Sequence, residues 1–298
     1  MNEETRTCQN CKDTFVIDAS DFAFYGKIKV PPPTWCPECR MIRRFAWRNE
    51  RNLYRIKESI AGQEIFSEIP QEAGLTVYDH DYWWSDSWDP MVYGRDYDFS
   101  RPFFEQFREL MHAVPWPSRS ILNLVNSDYS NKATGLKNCY LCFNLNYAEN
   151  SAYLFGAQHT KDSFDVTRSE RAELCYECSE IEDGYKTFFS LYCDKVHEVW
   201  FSRDCTGCSY CFGCVNLRNK QYHIFNKPYS KEDYFAELKK LNFGSYRGFR
   251  EVEQKVKEFW SSHPYKFYHG VHNVNVSGEC IHNAKNVFLS YFVQDIED

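Results

Sequence analysis

Eight short stretches between residues 138 and 225 limit what this chain can fold into. Their cores are NCYLCF (138–143), SAYLF (151–155), DSFDV (162–166), LCYEC (174–178), GYKTFF (184–189), HEVWF (197–201), CSYCF (208–212) and KQYHIF (220–225). Successive cores begin 10 to 13 residues apart, and polar or glycine-containing turns separate most of them. Short strands at such intervals suit a β-sandwich or a β-solenoid. Like residues recur at like places, Cys or Asn ahead of an aromatic, and this favours the solenoid. Stacked coils turn such positions into ladders, and a small soft thiol fits a narrow interior. The fold expected is therefore mainly β: a parallel β-solenoid over residues 119–229, each coil built from two or more units. A helical insertion is expected over 230–265, where Ser230 and Asp233 form a capping-box-like pair and Arg250–Trp260 a second helix. The solenoid resumes over 266–298, with AKNVFLSYF from Ala284.

The N-terminal region reads differently. Cys8 and Cys11, then Cys36 and Cys39, form two C-x-x-C pairs separated by 24 residues. Each pair places two thiolates on one side of a tight knuckle. Two knuckles complete a tetrahedral S₄ shell that suits Zn²⁺ and leaves no position open for water. The competing readings are two unrelated thiol pairs or a redox C-x-x-C. One structural zinc is expected, with Phe15, Phe22, Phe24 and Tyr25 packing against it and Pro31–Pro33 stiffening the return into Cys36.

The stretch CQNC…FVIDASDFAFYGKIKVPPPTWCPECRMIRR resembles the probable zinc-ribbon family. Cys8, Cys11, Cys36 and Cys39 match its metal positions, Asp21, Phe24 and Tyr25 its middle, and Arg40, Arg43 and Arg44 its basic exit. More widely, RNERNLY, YWWSDSWD, DFSRPFFEQF, KNCY, ELCYEC and CFGCVNLRNKQY are similar to cysteine-rich repeat proteins of environmental bacterial genomes. The first resemblance implies a zinc-held ribbon; the second brings no known activity with it.

Charge is local. The chain carries −7, yet residues 40–57 hold seven Lys/Arg against Glu50 alone, leaving −13 elsewhere. A protein coating nucleic acid over its whole surface is excluded. From Arg40 to about Ser59 the pattern is helical, giving a first module of residues 1–58. Arg40, Arg43, Arg44, Arg48, Arg51 and Arg55 recur at three- and four-residue steps, so several share a face. Such a face is a candidate surface for RNA or DNA, with Trp47 or Tyr54 stacking on a base. Pairing of the same arginines with the acidic remainder competes with it.

Residues 59–118 connect the two parts. Asp79, Asp81, Asp86, Asp89, Asp96 and Asp98 lie among Trp83, Trp84 and Trp88, and a short helix follows near Pro102–Ala113. These carboxylates suit a sugar-cleaving acid and base, a hard-cation site, or turn capping in an aromatic plug. Two further sets carry metal-ligand types. Cys205, Cys208, Cys211 and Cys214 begin like an iron–sulfur run but lack its closing C-x-x-x-C-P, and thiol packing is the favoured account. His269, His272, Cys280 and His282 suit a second zinc, against which stands simple hydrogen bonding.

With no charged-then-apolar leader and no apolar run of spanning length, the chain is expected in the cytoplasm, its thiols reduced, without a membrane partner. The function expected is that of a non-enzymatic zinc-binding scaffold that engages nucleic acid through residues 40–57. The alternatives are an assembly protein that docks on a protein partner or on itself at the solenoid end, and an enzyme acting on a polysaccharide.

Overall fold

A computed structural model describes residues 3–46 and 48–297. The fold is mainly β, and the chain divides into two compact units, Met1–Gly184 and Tyr185–Asp298. The division falls inside the 119–229 segment.

In the first unit, β1 (Glu4–Thr7) and β2 (Thr14–Ile17) form an antiparallel hairpin. A helix, α1 (Ala19–Lys27), follows where sequence reading placed only ribbon; its start is a capping box in which Asp18 accepts from the Asp21 N–H at 2.8 Å. The next helix, α2 (Pro37–Phe45), has Cys36 as N-cap and Pro37 in its first turn. It stops at Phe45, well short of Ser59. Asn49 and Asn52 bond side chain to side chain at 2.6 Å, and the Asn52 N–H donates to the Asn49 carbonyl. Such local amide bonding competes with helix. The chain then forms an antiparallel hairpin, β3 (Tyr54–Lys57) with β4 (Glu64–Ser67).

The connecting segment pairs β5 (Val77–Tyr78) in parallel with β6 (Trp116–Pro117). Between them lie α3 (His80–Trp83), capped by Asp79, and α4 (Phe103–Ala113), close to its expected bounds. Six short strands and one long one follow: β7 (Ile121–Leu122), β8 (Asn131–Lys137), β9 (Phe143–Glu149), β10 (Ala152–Phe155), β11 (Gln158–Lys161), β12 (Phe164–Glu170) and β13 (Tyr176–Phe188).

These strands pair in parallel, each residue with the one twelve positions on: Ile121 with Ala133, Asn131 with Phe143, Ala152 with Phe164, Phe164 with Tyr176. Every third residue has a left-handed backbone, as at Asn138, Leu141, Asn144, Tyr147, Asn150 and Tyr153. An extended chain alternates its faces; a left-handed residue at each third position turns it so that residues three apart face the same interior. Leu136, Cys139, Cys142, Leu145, Ala148 and Ser151 are all buried in this way. Left-handed non-glycine residues cost on the order of 1 kcal/mol each, and the parallel hydrogen bonds offset this. Asn126, Asn138 and Asn150 add a column of amide bonds ending on Asp162, at 3.0–3.1 Å.

The second unit contains β14 (Leu191–Trp200), β15 (Ser209–Phe212) and β16 (Gln221–Ile224), parallel with the same twelve-residue offset, and β17 (Lys227–Pro228) antiparallel to β16. Two helices, α5 (Lys231–Lys240) and α6 (Tyr246–Ser261), then cover these strands. Ser230 caps α5 as its spacing from Asp233 implies. Phe201, Phe212, Ile224, Tyr234, Val252 and Val256 form their shared buried core. Finally β18 (Gly270–Val271) pairs in parallel with β19 (Val274–Glu297).

Candidate metal centre and the other sequence-derived residues

Cys8 directly follows the first strand of the β1–β2 hairpin and Cys11 lies in its turn, where Lys12 adopts a left-handed backbone and its N–H reaches the Cys8 carbonyl at 3.1 Å. Cys36 and Cys39 sit at the start of α2. The Gln9 N–H donates to the Thr34 carbonyl at 2.9 Å and ties the two knuckles together. All four sulfurs lie within 4.8 Å of one another, with Cys11 Sγ and Cys36 Sγ 3.8 Å apart. A tetrahedral shell with Zn–S bonds of about 2.3 Å has edges of about 3.8 Å. The geometry therefore permits a metal ion such as zinc, held by these four residues alone.

Donors already point at the sulfurs. The Cys36 N–H reaches Cys8 Sγ at 3.2 Å, the Cys39 N–H reaches Cys36 Sγ at 3.4 Å, and Asn10 Nδ2 reaches Cys39 Sγ at 3.4 Å. Burial alone raises the Cys8 thiol, yet the N–H groups of Cys36, Cys11 and Asn10 outweigh it and bring it down to about 6. Cys11 receives the Asp13 N–H, but burial and the thiols of Cys8, Cys39 and Cys36 push it up to about 12. Cys36 is also pushed up, by burial and its neighbouring thiols, against the Cys39 N–H. A cation at the centre relieves that crowding by replacing shared protons. Phe15 and Trp35 pack against the cluster, and the Arg43 guanidinium lies 5.2 Å from the Trp35 ring centre. Of the other expected packing residues, Phe22 is buried and Phe24 is exposed.

The six arginines do not share one helical face. Arg40, Arg43 and Arg44 lie on α2; Arg48, Arg51 and Arg55 lie beyond its end. Arg48 pairs with Glu50 at 3.1 Å, Arg51 stacks 3.8 Å from the Phe155 ring centre, and Arg55 lies 5.5 Å over Phe66 and 4.0 Å from Glu64. Glu50 is 3 % exposed, a buried acid that sequence alone marks only as the odd charge in a basic run. Trp47 lies outside the described residues.

Cys205, Cys208, Cys211 and Cys214 are all buried, and left-handed residues at Asp204, Gly207, Tyr210 and Gly213 provide the bends that gather them inward. Each donates to the carbonyl two residues earlier, at 3.4–3.5 Å. Cys205 and Cys211 are pushed strongly up by the neighbouring thiols, while Cys208 between them is drawn down by both to about 3. Among the described residues, Cys8, Cys11, Cys36 and Cys39 are the one cysteine set whose sulfurs all meet within 4.8 Å.

The histidine set does not converge either. Both ring nitrogens of His269 are taken, Nε2 by Asp204 at 2.8 Å and Nδ1 by Glu279, and its ring stacks 3.6 Å from that of Tyr192. His272 bonds Asn283 at 3.2 Å. Cys280 is buried, and His282 belongs to no metal-ligating group among the described residues. What sequence reasoning missed here is the ionic knot around Asp204, which holds Arg203 at 3.3 Å, Lys266 at 3.0 Å and His269 at once.

In the aspartate–aromatic segment, Asp79, Asp89 and Asp98 accept N–H bonds two residues on, at 3.0, 2.8 and 2.9 Å. That is turn capping. Trp83 and Trp88 pack together, 5.8 Å between centres.

No family model matches the chain, and no curated protein matches it significantly. Among the described residues no helix is long and apolar enough to cross a membrane.

Proposed function

We propose that the protein is a zinc-dependent binding scaffold without catalytic activity, built as a zinc-ribbon-like head on a β-solenoid. The observation that carries the first part is the closed set of four sulfurs, since a shell of four thiolates leaves no position for substrate or water. Supporting the second are the twelve-residue parallel offset, the left-handed residue at each third position and the small buried side chains between them. A coil of four three-residue sides accounts for all three. Elemental analysis of purified protein should find one zinc per chain, lost in Cys8→Ser and Cys36→Ser. Iron in place of zinc, or no metal, removes this reading.

The partner surface we assign is narrower than the sequence implied. Arg40, Arg43 and Arg44 on α2 touch only Tyr25 and Trp35 and pair with no carboxylate among the described residues, so their charge is left for the phosphates of RNA or DNA, whereas Arg48 and Arg55 already pair with Glu50 and Glu64. Replacing all three by Gln should weaken binding to a mixed-sequence RNA or duplex DNA and reduce its salt slope by about 2–3. Unchanged binding and slope would exclude α2.

Assembly through the C-terminal strand is a second reading, favoured by the apolar side chains β19 leaves in solvent. Phe288, Leu289 and Tyr291 are 57 %, 82 % and 63 % exposed. Exposed strand with apolar side chains invites pairing. Light scattering that shows oligomers insensitive to salt, dispersed by Leu289→Lys, supports it; a monomer at high concentration does not.

A further inference from the structure

The first unit holds a cleft remote in sequence from the cysteine cluster. It lies between α3 and the strands β7, β8 and β9, encloses about 1150 Å³, and is lined by His80, Asp81, Trp84, Arg119, Asp128 and Asn146 among others. That size exceeds most small-molecule sites and suits a short polymer better than a single ring.

Three observations point to a ligand. Trp84 is 69 % exposed, yet it is not loose: Trp83 meets it edge-on at 4.8 Å and His80 at 6.4 Å. A flat aromatic face is thus fixed at the opening. Next, two buried nitrogens, His80 Nδ1 and Arg119 Nε, have no hydrogen-bond partner. Arg119 is only 8 % exposed, and its other contacts are the backbone carbonyls of Asp128 and Ser130. A buried polar atom left unmet in a native fold is uncommon: the Arg119 Nε–H calls for an acceptor, and His80 Nδ1 for whichever partner its tautomer requires. Third, Asp81 and Asp128 present exposed carboxylates on this lining that accept no hydrogen bond among the described residues, so acceptors and donors stand around one aromatic platform.

We propose that this cleft binds a neutral oligosaccharide, with one sugar ring against Trp84 and its hydroxyls bridging Asp81, Asp128, Asn146 and Arg119. A pyranose offers an apolar C–H face to an aromatic ring and a rim of hydroxyls that both donate and accept. Anionic ligands fit less well, because Asp79, Asp81 and Asp128 outnumber Arg119 and Lys132 in the lining. Cations fit less well too: these carboxylates do not gather into a metal-ligating group among the described residues.

Calorimetry and tryptophan fluorescence with cellohexaose, xylohexaose, maltohexaose and chitohexaose, and polygalacturonate as the charged arm, test this. At least one neutral hexasaccharide should bind with a dissociation constant of about 1 mM or tighter. Trp84→Ala should weaken it about tenfold or more. Asp81→Asn should weaken it several-fold, and both variants should keep the wild-type metal content and melting temperature. Binding by none of the hexasaccharides, by polygalacturonate alone, or with equal affinity in both variants would overturn the assignment. Metal content reads the zinc proposal separately, so either can fail without the other.

Discussion

Glu58 shows how much one side chain can do in this chain. It is 6 % exposed, and its carboxylate accepts from the N–H groups of Ile60, Ala61 and Gln63, closing the turn between β3 and β4. Burial opposes ionisation, yet these donors hold its carboxyl below the usual 4.5. Glu50 is held down against burial by its own N–H and by Arg48, and Glu279 against burial by His269. A carboxyl whose folded value lies below its unfolded value binds its proton less readily when folded, so its contribution is present above about pH 4.5 and disappears as pH falls through the folded value. Urea melts of the wild type should therefore lose stability on acidification below that point. Glu58→Gln should cost about 1–3 kcal/mol at neutral pH and flatten that acid dependence. A melt with the same pH profile in the variant would show that the turn does not depend on the charge.

Among the elements, the strand sets of 121–188 and 191–224 depend on what can occupy their interior. Ser163 is fully buried; its hydroxyl accepts the Cys175 N–H at 3.0 Å and donates to the Lys161 carbonyl at 2.8 Å. Ser163→Ala leaves that N–H without a partner and should destabilise by about 1–3 kcal/mol, read as a lower urea midpoint at unchanged slope. Gly278 is the sharper case. Its backbone sits at φ +136°, and a Cβ there would lie 1.7 Å from the Ser290 carbonyl oxygen, so Gly278→Ala should unfold β19 locally, seen as lost amide-exchange protection over 274–297. Full protection in the variant would refute the packing described.

Much of this was legible in the residues. Small polar and thiol side chains ahead of aromatics told that the chain is mainly β, and the Ser230–Asp233 pair marked a helix start. The interior spacing was not legible, because three-residue turning requires left-handed backbone at Leu, Tyr, Glu and Lys, residues with no preference for it. Helix α2 was overextended for a similar reason: arginines at helical steps gave the period, while two asparagines supplied the stop. Cys8, Cys11, Cys36 and Cys39 could be read as a set because their chemistry lies in local spacing. His80 sits among the aspartates and tryptophans whose residue types already suited a sugar, whereas nothing near Arg119 in sequence joins it to them.

At the scale of the molecule, an ion held by the four N-terminal sulfurs should matter only to part of the chain. Chelation is expected to leave all four thiols of the N-terminal cluster, Cys11 already exposed, open to a thiol reagent, while the nine buried cysteines from Cys139 to Cys214 and the buried Cys280 stay protected. Mass spectrometry after brief alkylation of the chelated protein reads this directly. Labelling of Cys205, Cys208, Cys211 or Cys214 on the same timescale would mean that metal and strand packing are coupled.

The twelve-residue offset also sets the lengths such a chain can take. Because each residue meets the one twelve further on, inserting or deleting one amino acid in a strand moves every later side chain out of phase, bringing a corner or a solvent-facing group into the core. Whole dozens can be added or removed and the frame survives, so tolerance to indels within 131–182 and within 197–224 should rise sharply at twelve and vanish at one or two.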